Sequence, residues 1–195
     1  MAFGVAFSIN ADLGTSPISS LPYVVDLATP LTVGTATIIM HCVFIAIQIA
    51  ILRRDYHPIQ LLQLPVAFIF GFLTDFAVWA IQGIGYTSYV GRWALCAIGI
   101  VLVGIGVAFE VAANIVVLAG EGVVLAVAWR VPVKFGYLKV AFDVTLVIIA
   151  CVVSMACLGA IEGVREGTVA AALCVGLIAK RIGGPINAFA DKYLS

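Results

Sequence analysis

Residues 27–52, 56–74, 76–91, 93–109 and 144–161 contain no aspartate, glutamate, lysine or arginine. About 20 apolar residues in helical form cross the hydrocarbon core of a bilayer. In that core each backbone amide must find its partner within the protein, which leaves helices or a closed barrel. Barrel strands alternate polar and apolar residues over about 10 positions. Runs such as Ile38-Ile39-Met40 and Val144-Thr145-Leu146-Val147-Ile148-Ile149-Ala150 do not alternate. The sequence therefore predicts an all-α, polytopic transmembrane helical bundle forming a single domain over 1–195.

Composition closes off the alternatives. The chain is 64% hydrophobic and 10% charged, where soluble domains carry about 25% charged residues. A chain of 195 residues is too short to hide that much apolar surface in one core. Ten basic residues balance ten acidic ones, so no net field draws in nucleic acid. A soluble enzyme, a nucleic-acid binder and a disordered chain are excluded, and the lipid bilayer is the expected partner. Cys42, Cys96, Cys151, Cys157 and Cys174 all lie in apolar runs without a CxxC pair. They read as small buried apolar side chains, and neither a metal site nor a disulfide framework is expected.

The chain carries an internal repeat. Gly4-Val5-Ala6-Phe7 recurs as Gly106-Val107-Ala108-Phe109, and at the same offset Asp12 falls on Asn114, Gly34 on Gly136 and His41 on Asp143. With a slip of three residues, Leu13 matches Leu118, Gln60 Arg165, Gln63 Thr168 and Gly71 Gly176. The expected elements are 1–12, 16–29, 33–53 and 58–82 in repeat 1 (1–82), and 92–116, 120–130, 135–158 and 167–182 in repeat 2 (92–182). Each repeat thus has three long helices and one short one, and 183–195 is expected to lie along the surface as a tail. Pro17 suits a first helical position with Ser16 as N-cap; Pro30 closes that helix, and Pro58 opens the fourth. The first helix is about half the length of its counterpart, so Met1 reads as a late start within a longer helix.

The short helices are too short to cross upright. If both re-enter, Arg53, Arg54, Arg130, Lys134, Lys180, Arg181 and Lys192 share one side, with Arg92 and Arg165 on the other. Basic residues favour the cytoplasmic side. That arrangement makes each repeat three crossings long and inverts the second relative to the first, a plan of many secondary transporters.

Ionisable groups within a bilayer cost enough to mark function by default. Asp143 and its repeat counterpart His41 are candidates for ion or proton coupling at the centre; the alternative for Asp143 is an i,i+4 pair with Lys139. Glu110, Asn114 and Glu121 flank the break between the fifth and sixth elements, and Asp12, Thr15 and Ser16 flank the equivalent break in repeat 1. Such breaks hold substrate and ions in transporters; the alternative is plain helix capping. Arg165 beside Glu166 offers a planar fork for an anion, or else a salt-bridged helix entrance. Asp75 and Lys180 form a possible pair across the two repeats. Trp79, Tyr86, Tyr89 and Trp93 match an interfacial aromatic belt. No HExxH, GxSxG or phosphate loop is present, so catalysis and a cofactor are not expected.

Four blocks, Ala11-Asp12-Leu13-Gly14-Thr15-Ser16-Pro17, Ile59-Gln60-Leu61-Leu62-Gln63-Leu64-Pro65 with Gly71 and Asp75, Lys139-Val140-Ala141-Phe142-Asp143 and Val164-Arg165-Glu166-Gly167-Thr168, resemble the YczE/YitT-type bacterial membrane proteins. The resemblance covers nearly the whole chain, in the family's order, and departs from it at the shortened first helix. It implies a small multi-pass protein of the bacterial inner membrane; that family has no established activity to carry over.

The functional expectation is a small secondary-transporter-like permease for a small polar or anionic solute. Substrate-binding residues would be Asp12, Thr15, Ser16, Glu110, Asn114, Glu121 and Arg165, with His41 and Asp143 as couplers. The rival expectation is a non-transporting scaffold or regulatory partner, or the substrate-binding subunit of a multi-component importer, acting with a second membrane protein or as a homo-oligomer.

Overall fold

The computed structural model describes residues 1–84, 86, 88–113 and 117–193. Among them the chain is all helical: α1 (Ala2–Ala11), α2 (Pro17–Ala28), α3 (Val33–Leu52), α4 (Gln63–Ile81), α5 (Tyr89–Ala113), α6 (Ala119–Arg130), α7 (Phe135–Leu158) and α8 (Glu166–Tyr193). Two 3₁₀ turns, Arg53–Asp55 and Pro58–Leu62, join α3 to α4. Pro58 therefore opens a 3₁₀ turn, and α4 begins only at Gln63. No break in α8 separates residues 183–193 from the helix before them.

Among the described residues, four segments are long and apolar enough to cross a membrane: Val33–Asp55, Pro58–Ile81, Tyr89–Val111 and Phe135–Leu158. Their outward faces carry Phe72, Trp79, Val140, Val144 and Val152, all more than half exposed. So much outward apolar surface matches acyl chains and not water, which marks this as a membrane protein. Inside, Met40, Phe44, Ile45, Ala119, Val123 and Leu146 form the largest apolar cluster, flanked by Ile18, Leu21, Leu64 and Phe142. It draws on α2, α3, α4, α6 and α7 and fills the middle of the bundle.

Small residues set the helix crossings, as expected where lipid is no less apolar than the protein. α1 runs antiparallel to α5, with Gly4 against Gly99 and Val103, and Gly106 against Met1. α3 and α4 cross at Gly34 and Gly71; a β-carbon at Gly34 would collide with the Gly71 carbonyl oxygen.

Caps explain several polar residues. Ser16 occupies the N-cap of α2 and Pro17 its first turn, yet the Ser16 hydroxyl accepts from no backbone N–H of that turn and instead donates to Ser19 Oγ (3.0 Å). At α3, Thr32 Oγ1 accepts from the Thr35 N–H (3.2 Å). Asp75 reaches over from α4: its Oδ1 accepts from the Gly34 N–H and its Oδ2 from the Thr32 hydroxyl, both at 2.7 Å. A carboxylate at a helix N-terminus is favoured by the dipole, so Asp75 acts as the cap of α3. It makes no pair with Lys180, which is exposed on α8.

Candidate functional site

Polar side chains gather in four places. The first lies where the α1–α2 loop meets the start of α8. Asp12, in the left-handed region at φ 52°, ends α1. Its carboxylate pairs with Arg92 at the start of α5 and lies 3.5 Å from Arg165 Nη1. Arg165 also donates to the Asp12 carbonyl (3.0 Å), and its Nε lies 3.6 Å from Glu166. The Tyr89 hydroxyl donates to Glu166 (3.1 Å), and Arg92 sits 4.8 Å above the Tyr86 ring. Two cations and two anions balance, so Arg165 has its acceptors already. Gly14, at φ 88°, lets the loop lie against Arg165 and Thr168, where a β-carbon would come within 2.4 Å of Thr168 Oγ1. The Gly167 N–H donates to the Leu13 carbonyl (2.7 Å). These contacts tie the α1–α2 loop to the starts of α5 and α8.

The second place is the α5–α6 break. Glu110 Oε1 accepts from the Leu118 N–H (2.6 Å) ahead of α6, satisfying one of the donors that a helix start leaves open. Glu121 lies 3.5 Å from Lys139, and Lys139 donates to Asp143 (2.7 Å). The structure thus joins Glu121 and Asp143 through one lysine. Asn114 lies outside the described residues.

The third is the centre. His41 is 2% exposed and packs between the rings of Phe44 and Phe70, with Nδ1 unpartnered. The expected His41–Asp143 pairing is not formed: Asp143 turns to Lys139, the nearest cation on its own helix face. His41, Ser16, Ser19 and Thr37 line a pinhole of about 30 Å³, the scale of one water molecule. The buried Thr15 hydroxyl reaches only the neighbouring Ser16 carbonyl (3.3 Å). Of the six expected binding residues that are described, only Ser16 borders this central space.

The fourth is a cleft of about 640 Å³ between the α3–α4 connection and α6. Gln60 and Gln63 line it from one side, Gly122, Leu125 and Trp129 from the other, with Arg54, Asp55, Tyr56 and His57 nearer the α3 end. Behind Gly122 lies Gln48, fully buried, whose Nε2 donates to Gln63 Oε1 and to the Ala119 carbonyl, both at 3.0 Å. Gln48 Oε1, Gln60 Oε1 and the Tyr56 hydroxyl are buried without partners. Burial pushes the Tyr56 phenol above its ordinary range, so it stays protonated and able to donate. Arg130 ties the rim together, donating to the Ile51 and Leu52 carbonyls and to Asp55 (3.1 Å). Gln48 and Tyr56 escape sequence reasoning; the one signal for Gln48 is an amide standing alone in the apolar run of 27–52.

Arg53, Arg54 and Arg130 thus gather at one end, and Arg92 with Arg165 at another. The chain belongs to DUF6198, a family of unknown function whose model matches residues 1–183. No curated protein and no solved structure matches it.

Proposed function

We propose that this protein is a small secondary-transporter-like permease of the bacterial inner membrane, built from two inverted four-helix repeats and related to the YczE/YitT-type proteins. The observation that carries the reading is the unequal state of two matching glycine pairs. Gly34 and Gly71 hold α3 and α4 in backbone contact. Their counterparts, Gly136 on α7 and Gly176 on α8, have nothing within 4 Å of a β-carbon position among the described residues. One helix pair is closed and its twin is splayed, as expected of a two-repeat carrier caught on one side of its cycle.

Further geometry supports the repeat. α2 and α6 have 12 residues each and start 102 positions apart, at Pro17 and Ala119; α3 and α7 keep that offset. The contact of Gly4 with Val103 becomes that of Gly106 with Met1 when the halves are exchanged. Met40 and Phe142, like Phe44 and Leu146, share one apolar cluster at that offset. The antiparallel crossing of α1 and α5 is what inversion requires of equivalent helices. The latch at Asp12, Arg92 and Arg165 and the cleft at Gln60 and Gln63 fall at matching positions of opposite repeats, one shut and one open. The solute is small and polar, and rocking of the halves would carry it past the His41 pinhole.

Cysteines placed at Gly136 and Gly176, in protein whose five native cysteines are replaced by serine or alanine, test this in proteoliposomes. Closure of α7 on α8 allows oxidative cross-linking, and the cross-link stops flux. Flux that continues while the pair never cross-links overturns the alternating mechanism. A stable complex with another membrane protein and no flux favours the scaffold or importer-subunit alternative.

A further inference from the structure

The four sets of polar groups differ in what they still lack. Around Asp12, charges are matched. At Lys139, one cation serves Asp143 and Glu121. The pinhole at His41 is too small for more than about one water molecule. Among the described residues, the cleft is the place that combines volume for a solute with polar atoms lacking a partner.

Those atoms define the ligand. Gln48 uses both protons of its amide nitrogen on fixed acceptors, so its carbonyl oxygen faces Gly122 and its amide holds Gln63 in place. Gln48 is a positioning residue. In front of it, Gln60 contributes an unpartnered carbonyl oxygen and Tyr56 an unpartnered hydroxyl. A buried acceptor left unmatched costs about 1–3 kcal/mol, so a ligand that supplies a donor gains where one without it does not. An anion meets the Gln60 carbonyl dipole with the wrong sign, and Arg54, which also lines the cleft, stands exposed at its edge where water and salt screen its charge. A cation finds no free carboxylate on the described walls, because Asp55 is paired with Arg130. The opposite wall, Leu125 and Trp129, is apolar.

We propose that this cleft binds a neutral solute bearing N–H or O–H donors on one edge and an apolar face on the other, with the donors on Gln60 and Tyr56 and the face against Leu125 and Trp129. The assignment rests on the permease reading and narrows its solute from polar or anionic to neutral and donor-bearing.

Four probes of one shape separate the possibilities: benzamide, N,N-dimethylbenzamide, benzoate and benzylammonium. Binding is read by Trp129 fluorescence in nanodiscs, with Trp79→Phe and Trp93→Phe leaving Trp129 as the reporter. Benzamide is expected to quench saturably, and N,N-dimethylbenzamide and benzoate to bind at least about tenfold more weakly. Gln60→Leu should weaken benzamide about tenfold and Tyr56→Phe about threefold, with unchanged thermal unfolding. Equal binding of benzamide and its dimethyl analogue overturns the assignment, as does tighter binding of benzoate or benzylammonium, or unsaturable quenching by all four. Saturable discrimination without flux in any vesicle assay keeps the site and removes the permease. Flux without discrimination removes the donor rule and keeps the permease.

Discussion

At Gly34 a single methyl group would run into the carbonyl oxygen of Gly71, a backbone atom that cannot swing aside. Gly34→Ala should therefore lower the melting temperature in detergent, at a cost of about 1–3 kcal/mol. Gly176→Ala meets open space among the described residues and should leave stability unchanged or raise it slightly, since alanine favours helix by up to about 1 kcal/mol. If α7 and α8 close during transport, the same Gly176→Ala change slows flux while the melting temperature holds. Equal melting temperatures for both variants would contradict the packing described. The sequence shows where these glycines lie but not their unequal surroundings, because a glycine in a helix looks the same in sequence whether its neighbour is backbone or lipid.

At the level of elements, the boundaries were largely legible. Pro17, Pro30 and the charge-free runs mark α2, α3, α5 and α7 through local rules of backbone geometry and apolar length. Pro58 misled by a few residues, since a proline start suits a 3₁₀ turn as well as an α-helix. Polar residues were harder. Asp75 reads as a charge in need of a counter-charge, yet it caps a helix 41 residues earlier in the chain. Asp75→Asn keeps the shape and loses the charge at the N-terminus of α3, so it should destabilise by about 0.5–2 kcal/mol. Thermal unfolding of Asp75→Asn beside Lys180→Gln checks this; only the first should shift.

On the scale of the whole molecule, one end is drawn together by charges and the other is parted by a cleft. Asp12 holds two arginines, from α5 and from the head of α8, in a solvent-exposed network of the kind that contributes little to stability. Such a network holds this end only weakly. Arg165→Gln should raise the alkylation rate of a Thr168→Cys probe about threefold to fivefold, since Thr168 is buried beneath Gly14. An unchanged rate would mean that the ions decorate this end without closing it.

The sequence by itself determined the solvent, the helical class, the order of elements and the sharing of one end by Arg92 and Arg165. These follow from hydropathy, helix period and backbone sterics, which act within a few residues of each other. Tertiary structure decided which polar groups are already satisfied: Asp143 by Lys139, Arg165 by Asp12 and Glu166, Asp75 by α3. It also left Gln60 Oε1 and the Tyr56 hydroxyl without partners among the described residues, beside an open cleft. Hydrogen bonds reach only about 3 Å, so whether a side chain is spent or available depends on segments far away along the chain, a fact that no local pattern of residues carries.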